Sequence, residues 1–280
     1  MRFKNIFAIA LILSTIVLFL YFVSTPFFGP STFDMIIKNG LIVDGLGGEP
    51  YKADIGIYRG RIIKIGALAK KESLKSIDAA GFMVCPGFID LLNHVDEGIL
   101  AHPDDYNFIR RGITTVVGSN WGDSSYPIEF LKNVKKTKIT LNFCTLVGYN
   151  TVRAKVSGST DRVPGKNDIK APWASAGDKK ETDGREKGFL TFQEAIKKMT
   201  WLPAKRLGLK ERGCIAEGFY ADITIVDPVS AGDLGTWQNP HRHPQGIPYV
   251  LVNGKPVVEN NEFQGTFPGM VIYGKMGEQE

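Results

Sequence analysis

Short alternating strands stand at both ends of this chain, and a strand-helix alternation lies between them. That order is the tightest constraint on what the chain can fold into. Met35 to Lys38, Gly40 to Val43, Asp54 to Tyr58 and Arg61 to Ile65 read as short strands, with Asn39-Gly40 and Arg59-Gly60 as hairpin-type turns between them. From Phe82 the pattern changes. Val84 to Ile89 is a buried strand, Asp104 to Arg111 a helix, Gly112 to Val117 a strand, Ile128 to Lys136 a helix and Ile139 to Leu146 a strand. Strands alternating with helices predict a parallel sheet with crossovers. Val156 to Gly188 is rich in Gly, Ser, Asp, Lys and Pro and reads as a long loop. Leu190 to Met199 resumes as an amphipathic helix opened by a Thr191 cap, with Glu194 three residues later. Beyond Gly208 the β pattern returns: Gly213 to Asp227 reads as a turn followed by a strand, and Tyr249 to Val252 and Pro256 to Val258 flank a hairpin at Asn253-Gly254. The expected fold class is therefore α/β. The segments 31–82 and 209–280 form one β-sandwich beside a barrel-like unit at 83–208.

The junction between the two patterns carries a chemical signal. Val84-Cys85-Pro86-Gly87-Phe88-Ile89 is followed by Asp90-Leu91-Leu92-Asn93-His94. An apolar strand ending in Asp-x-His-x-His is how an α/β barrel offers two imidazoles to one metal, because alternate strand residues point the same way. The first of the two positions holds Leu92, which has no donor, and His94 holds the second. Asp96 follows close behind.

Residues 1–30 are different again. Arg2 and Lys4 precede Ile6 to Val23, an apolar run broken only by Ser14 and Thr15. That is near the minimum length for a membrane span, and no small-x-small cleavage pattern follows it. The expectation is a single-pass anchor with its short basic end in the cytoplasm and the main body extracytoplasmic. A cleaved signal, leaving a secreted or periplasmic protein, is the alternative. The net charge of +5 comes from scattered Lys and Arg, and short runs such as Lys132 to Lys136 read as solvated helix faces, so no nucleic-acid partner is expected. The three cysteines, Cys85, Cys144 and Cys214, lie in or beside apolar stretches and suit buried free thiols.

Taken together, these segments resemble the amidohydrolase superfamily, and within it the D-aminoacylase or N-acyl-D-amino-acid deacylase group. Asp34 to Gly40 through Val43-Asp44-Gly45 is similar to that group's first β segment. Pro86-Gly87-Phe88-Ile89-Asp90 is similar to the entry to its first barrel strand, and Gly112 to Val117 to the second. Leu146 to Arg153 resembles the segment after the third, and Lys198 to Leu209 the last helix. Ala216-Glu217-Gly218, Ala221-Asp222, Pro240-His241 and Val252-Asn253-Gly254 resemble the return to the sandwich. The resemblance implies a metal-dependent TIM-type barrel with a composite β-sandwich, hydrolysing the non-peptide carbon–nitrogen bond of N-acyl-D-amino acids. It also implies a zinc-bound water as nucleophile and an aspartate general base.

Carried over residue by residue, the resemblance leaves a depleted site. Leu92 stands at the first histidine position and His94 at the second. Trp121 falls where the cysteine ligand belongs, Tyr149 on a histidine after the third strand, and Ala176 on the general base. The two histidines of the middle strands have no counterpart. His102, His241 and His243 read as exterior residues, which leaves His94 and Asp96 as the metal candidates, with zinc as the metal if one binds. A closed eight-stranded barrel takes roughly 250 residues, and the stretch from Val84 to Gly208 has room for about half of that. An incomplete barrel leaves bare strand edges, so a homo-oligomer covering them is expected. Three readings stay open. One is a membrane-anchored amidohydrolase with a reduced metal site. The second is a pseudoenzyme that binds a ligand or partner. The third is the remnant of an internally deleted gene. The ligand losses point toward impaired or lost catalysis.

Overall fold

The computed structural model describes residues 32–119, 127–146, 190–236, 238–239 and 242–273. The first strand, β1 (Thr32–Ile42), is the spine of a large sheet. It pairs antiparallel with β2 (Tyr51–Tyr58), which turns back into β3 (Arg61–Gly66). The Arg59-Gly60 turn has φ of 50° and 78°, the left-handed pair that a tight hairpin requires. β4 (Glu72–Asp78) runs parallel to the first half of β1, and β5 (Met83–Pro86) parallel to its end. The chain's other end then joins directly. β9 (Ile223–Val226) pairs antiparallel with β5, Val84 opposite Ile225, and continues through β10 (Tyr249–Val252), β11 (Lys255–Glu259) and β12 (Glu262–Phe263). The result is one nine-stranded sheet. It curls on itself: the Ile62 amide of β3 donates to Phe219 O at 2.9 Å, and Gly218 N donates back to Ile62 O at 2.7 Å. Inside the curl, Met35, Ile37, Ile55, Ile57, Ile62, Ile77, Ile225 and Leu251 form one buried cluster. The sandwich expected from two separated β segments is thus a single sheet folded over its own apolar face.

Two sequence expectations are corrected here. Asn39-Gly40 is not a hairpin turn. Asn39 has φ 59° inside β1, where the register against β2 slips between Ile37 and Gly40, so the pair is a β-bulge. The Asn39 amide donates to Asp54 Oδ1 and its side-chain nitrogen to Asp78 Oδ1, both at 2.9 Å, which satisfies the groups the bulge frees. Val84 to Ile89 is not one strand either. β5 ends at Pro86, and β6 (Phe88–Asp90) belongs to a second sheet. Gly87 makes the crossing. Its amide donates to Asp222 O at 2.9 Å, and a Cβ there would sit 2.1 Å from Thr114 Oγ1, so only glycine fits.

The second sheet is parallel, in the order β6-β7-β8, with β7 at Ile113–Gly118 and β8 at Asn142–Thr145. Helices α1 (Val95–Gly98) and α2 (Tyr106–Ile109) connect β6 to β7, and α3 (Pro127–Lys136) precedes β8. Their apolar residues Val95, Ile99, Ile109 and Val134 pack with Val116 and Phe143, and that cluster continues into Val250, Val252, Val257 and Val258 of the large sheet. The two sheets therefore share a core. α4 (Phe192–Met199) opens on the expected Thr191 capping box, and α5 (Trp201–Arg206) follows it and seats Ala204 against Ile89. The outer edge of β8 is not bare. Phe143 N donates to Met270 O at 2.9 Å and Ile272 N donates to Phe143 O at 2.7 Å, in a parallel bridge between Phe143 and Val271. Among the described residues no helix is long and apolar enough to cross a membrane, and Ile6 to Val23 lies outside them.

Candidate functional site

In a parallel α/β barrel the reacting groups gather at the C-terminal ends of the strands. Here those ends are Asp90 on β6, Gly118 on β7 and Thr145 on β8. Past Asp90 the chain leaves the strand at once. The Asp90 carboxylate accepts the Leu92 amide at 2.9 Å. Asn93 Nδ2 donates to Asp90 O at 3.2 Å, and Asn93 Oδ1 accepts the Val95 amide at 3.1 Å. These local side-chain bonds compete with continued strand and swing the chain into α1. Leu92 and His94 thus stand beyond β6, and strand alternation does not aim them at one point. Leu92 is 60% exposed, and His94 is exposed as the N-cap of α1, with φ −112° and ψ 32°. Asp96 belongs to α1, and its side chain lies outside what is described.

The neighbouring strand ends add hydroxyls and hydrocarbon. Ser119, directly after β7, has φ 63°, an uncommon conformation for a residue with a Cβ. Its Oγ accepts from Thr145 Oγ1 at 2.8 Å, which ties the β7 and β8 ends together. Leu91 and Leu146 are partly exposed on the same rim. The described rim therefore offers one imidazole, the Asp90 carboxylate, two hydroxyls and three leucines.

The other sequence candidates do not join it. His102 is exposed and serves through its carbonyl, which accepts the Asp105 amide at 3.1 Å. His243 stands edge-on to the Tyr106 ring, 4.9 Å between centroids. Trp121, Tyr149, Ala176 and His241 lie outside the described residues. Among the described residues no three His, Cys, Asp or Glu side chains come together as a metal would need. The donor set that zinc chemistry calls for is about three protein ligands. The rim, with Leu92 beside His94, supplies fewer than that among the described residues.

A buried polar cluster joins residues far apart in the sequence. Arg212 and Asp222 form a salt bridge with both side chains 5% exposed. Asp222 also accepts both Asn142 Nδ2 contacts at 3.1 Å and the Asn253 amide at 2.8 Å. Arg212 Nη2 donates to Asn253 Oδ1 at 2.8 Å, and Asn253 Nδ2 donates to Asn142 Oδ1 and to Pro268 O, each at 2.8 Å. The guanidinium lies over the Tyr220 ring, 3.9 Å from its centroid. Every partner is satisfied, as a buried charge requires. Asn253-Gly254 is visible in the sequence as a hairpin turn and Ala221-Asp222 as part of the resemblance, but nothing local marks Arg212 as their partner. The cluster links the two sheets and is structural. Beside it, burial pushes the Cys144 thiol up to about 12 while Arg212 pulls it down, and burial with Asp44 pushes Cys214 up to about 11. All three cysteines are buried free thiols, and neither of these two is a thiolate near neutral pH.

Comparison with known proteins agrees with this architecture. Residues 151–258 match the model of the amidohydrolase family. An N-acyl-D-aspartate deacylase of Alcaligenes xylosoxydans xylosoxydans is 32% identical over 157 residues, 48% of this chain and 32% of that protein. A D-aminoacylase of the same organism is 29% identical over 163 residues, 50% of this chain and 34% of that protein. The chain thus spans about a third of the length of these curated relatives. The structure superposes on an N-acyl-D-glutamate deacylase from Bordetella bronchiseptica, complexed with zinc and a phosphonate inhibitor. The TM-score is 0.75 at 17% identity, covering 86% of this chain and 99% of that one. Its parallel sheet and helices share the α/β TIM-type fold of these amidohydrolase structures. The chain is similar to amidohydrolases of the D-aminoacylase and N-acyl-D-amino-acid deacylase group.

Proposed function

We propose that this protein is a D-aminoacylase-type member of the amidohydrolase family in which hydrolysis of N-acyl-D-amino acids is impaired or lost. The observation that carries the reading is Leu92, a solvent-facing hydrocarbon beside His94 at the end of β6, where the family's chemistry needs a second imidazole. Trp121 and Ala176, which the resemblance puts at the cysteine ligand and the general base, add to it. A lone imidazole does not hold a divalent cation tightly enough to turn water into a nucleophile at neutral pH. We further propose that Ile6 to Val23 anchors the chain in a membrane with the remaining residues on the extracytoplasmic side. The partner-binding alternative draws support from the leucine-rich rim at Leu91, Leu92 and Leu146.

The test is metal content by mass spectrometry on the full chain purified in detergent, together with turnover of N-acetyl-D-glutamate, N-acetyl-D-aspartate and N-acetyl-D-leucine. The expected result is zinc well below one per chain and no turnover above a buffer blank. One tightly held metal per chain with turnover that a chelator abolishes overturns the proposal.

A further inference from the structure

We propose that Gly269–Ile272 acts as a surrogate fourth strand of the parallel sheet, a resident ligand of the β8 edge that keeps this edge from pairing with other chains. The strands β6, β7 and β8 form the beginning of a parallel barrel, and a fourth strand belongs on the free side of β8. That side is occupied by this chain's own late segment. Gly269 N donates to Ile139 O at 2.9 Å, and the Phe143 amide and carbonyl are both taken up, by Met270 O and Ile272 N. The bridge between Phe143 and Val271 is parallel, the direction a barrel strand would take.

The fit is specific rather than incidental. A Cβ on Gly269 would lie 2.0 Å from Leu141 O, so only glycine brings the two backbones this close. Ile272 packs with Ile89, Ala204 and Leu209 on one side, and Val271 packs with the helix-covered core on the other. Alternating residues thus fill both faces of the sheet, as those of a true strand do. Just upstream, Pro268 O accepts from Asn253 Nδ2 at 2.8 Å, which fixes where the segment enters. An exposed edge with its amides and carbonyls unpaired is a template for another chain, and a covering segment is one of the ways proteins blunt it. The occupant is therefore the chain itself, and a second copy can take that place only when the segment is displaced.

The experiment uses the full chain and two variants, Gly269→Val, which clashes with Leu141 O, and Ile272→Pro, which deletes the donor to Phe143 O. Tyr273→Ala, 66% exposed, is the control. The readouts are hydrogen exchange at the Phe143 amide and oligomeric state by light scattering. The expected result is at least a tenfold faster Phe143 exchange in both variants, with dimers or larger species, reversed by a synthetic peptide of residues 266–273. Tyr273→Ala stays at the parent values. Phe143 protection and particle mass equal to the parent in both variants overturn the proposal. So does global loss of protection that the peptide does not reverse, which makes the segment part of the core rather than an edge cap. Neither outcome bears on metal content or turnover, so this proposal and the loss of catalysis fail separately.

Discussion

Replacing Asp105 by Asn should stabilise the protein at pH 8 and leave it nearly unchanged at pH 4. Asp105 stands before α2 with φ 43°, a conformation that Asn tolerates as well as Asp. Its Oδ2 is buried without a hydrogen-bond partner. Burial first, and the neighbouring Asp104 second, push its carboxyl from the ordinary 3.8 up to about 7. The folded state thus holds a proton that the unfolded chain releases above pH 4. Stability from this group is full below about pH 4 and is lost as pH rises through about 7. The gap between those values corresponds to about 4 kcal/mol as a ceiling, at about 1.4 kcal/mol per tenfold change. Because the residue is only partly buried, water screens it, and about 1–2 kcal/mol is the expected gain for Asp105→Asn at pH 8. Urea unfolding of the parent and variant at pH 4, 6 and 8 reads this directly. Equal stability of the two at pH 8, or a gain as large at pH 4, would refute the argument that an uncompensated carboxylate sits there.

Two further substitutions test the joints between the sheets. Arg212→Met leaves Asp222 buried without its cation and should cost about 3 kcal/mol in urea unfolding, with part recovered by adding Asp222→Asn; equal loss in the single and double variants would contradict the pairing. Gly87→Ala drives a methyl group into Thr114 and should cost about 3 kcal/mol, near the upper end for overpacking, and Thr114→Ala in the same chain should restore most of it. A Gly87→Ala protein with parent stability would mean that the crossing between sheets can shift freely.

Much of the scaffold is legible in the sequence because its signals are local. The turns at Arg59-Gly60 and Asn253-Gly254 need left-handed backbone, and their residues say so. The Thr191 to Glu194 capping box closes within one helical turn, and its reciprocal bonds are present. Legibility ends where two local signals compete or where the partner is remote. Asn39-Gly40 carries a hairpin signature, yet β1 continues through it because Asp54 and Asp78 satisfy the bulge from other strands. Val84 to Ile89 reads as one apolar run, and only the Asp222 carbonyl, far along the chain, explains why it divides at Gly87. β4 goes unseen because its pattern is mostly exposed, with only Ile77 deeply buried. At the site, the loss of Leu92 as a donor is plain from residue type. The turn that carries His94 off the strand is not, since it depends on Asp90 and Asn93 bonding to nearby amides.

The buried cluster of Asn142, Arg212, Asp222 and Asn253 also sets a timetable for biosynthesis. Asn142 and Asn253 are 111 residues apart in sequence, so their bond waits until the later one has been made. At roughly 5–20 residues per second, that interval is on the order of ten seconds. Arg212 is made within that interval, while Met270 and Ile272, which pair with Phe143 of β8, come after it.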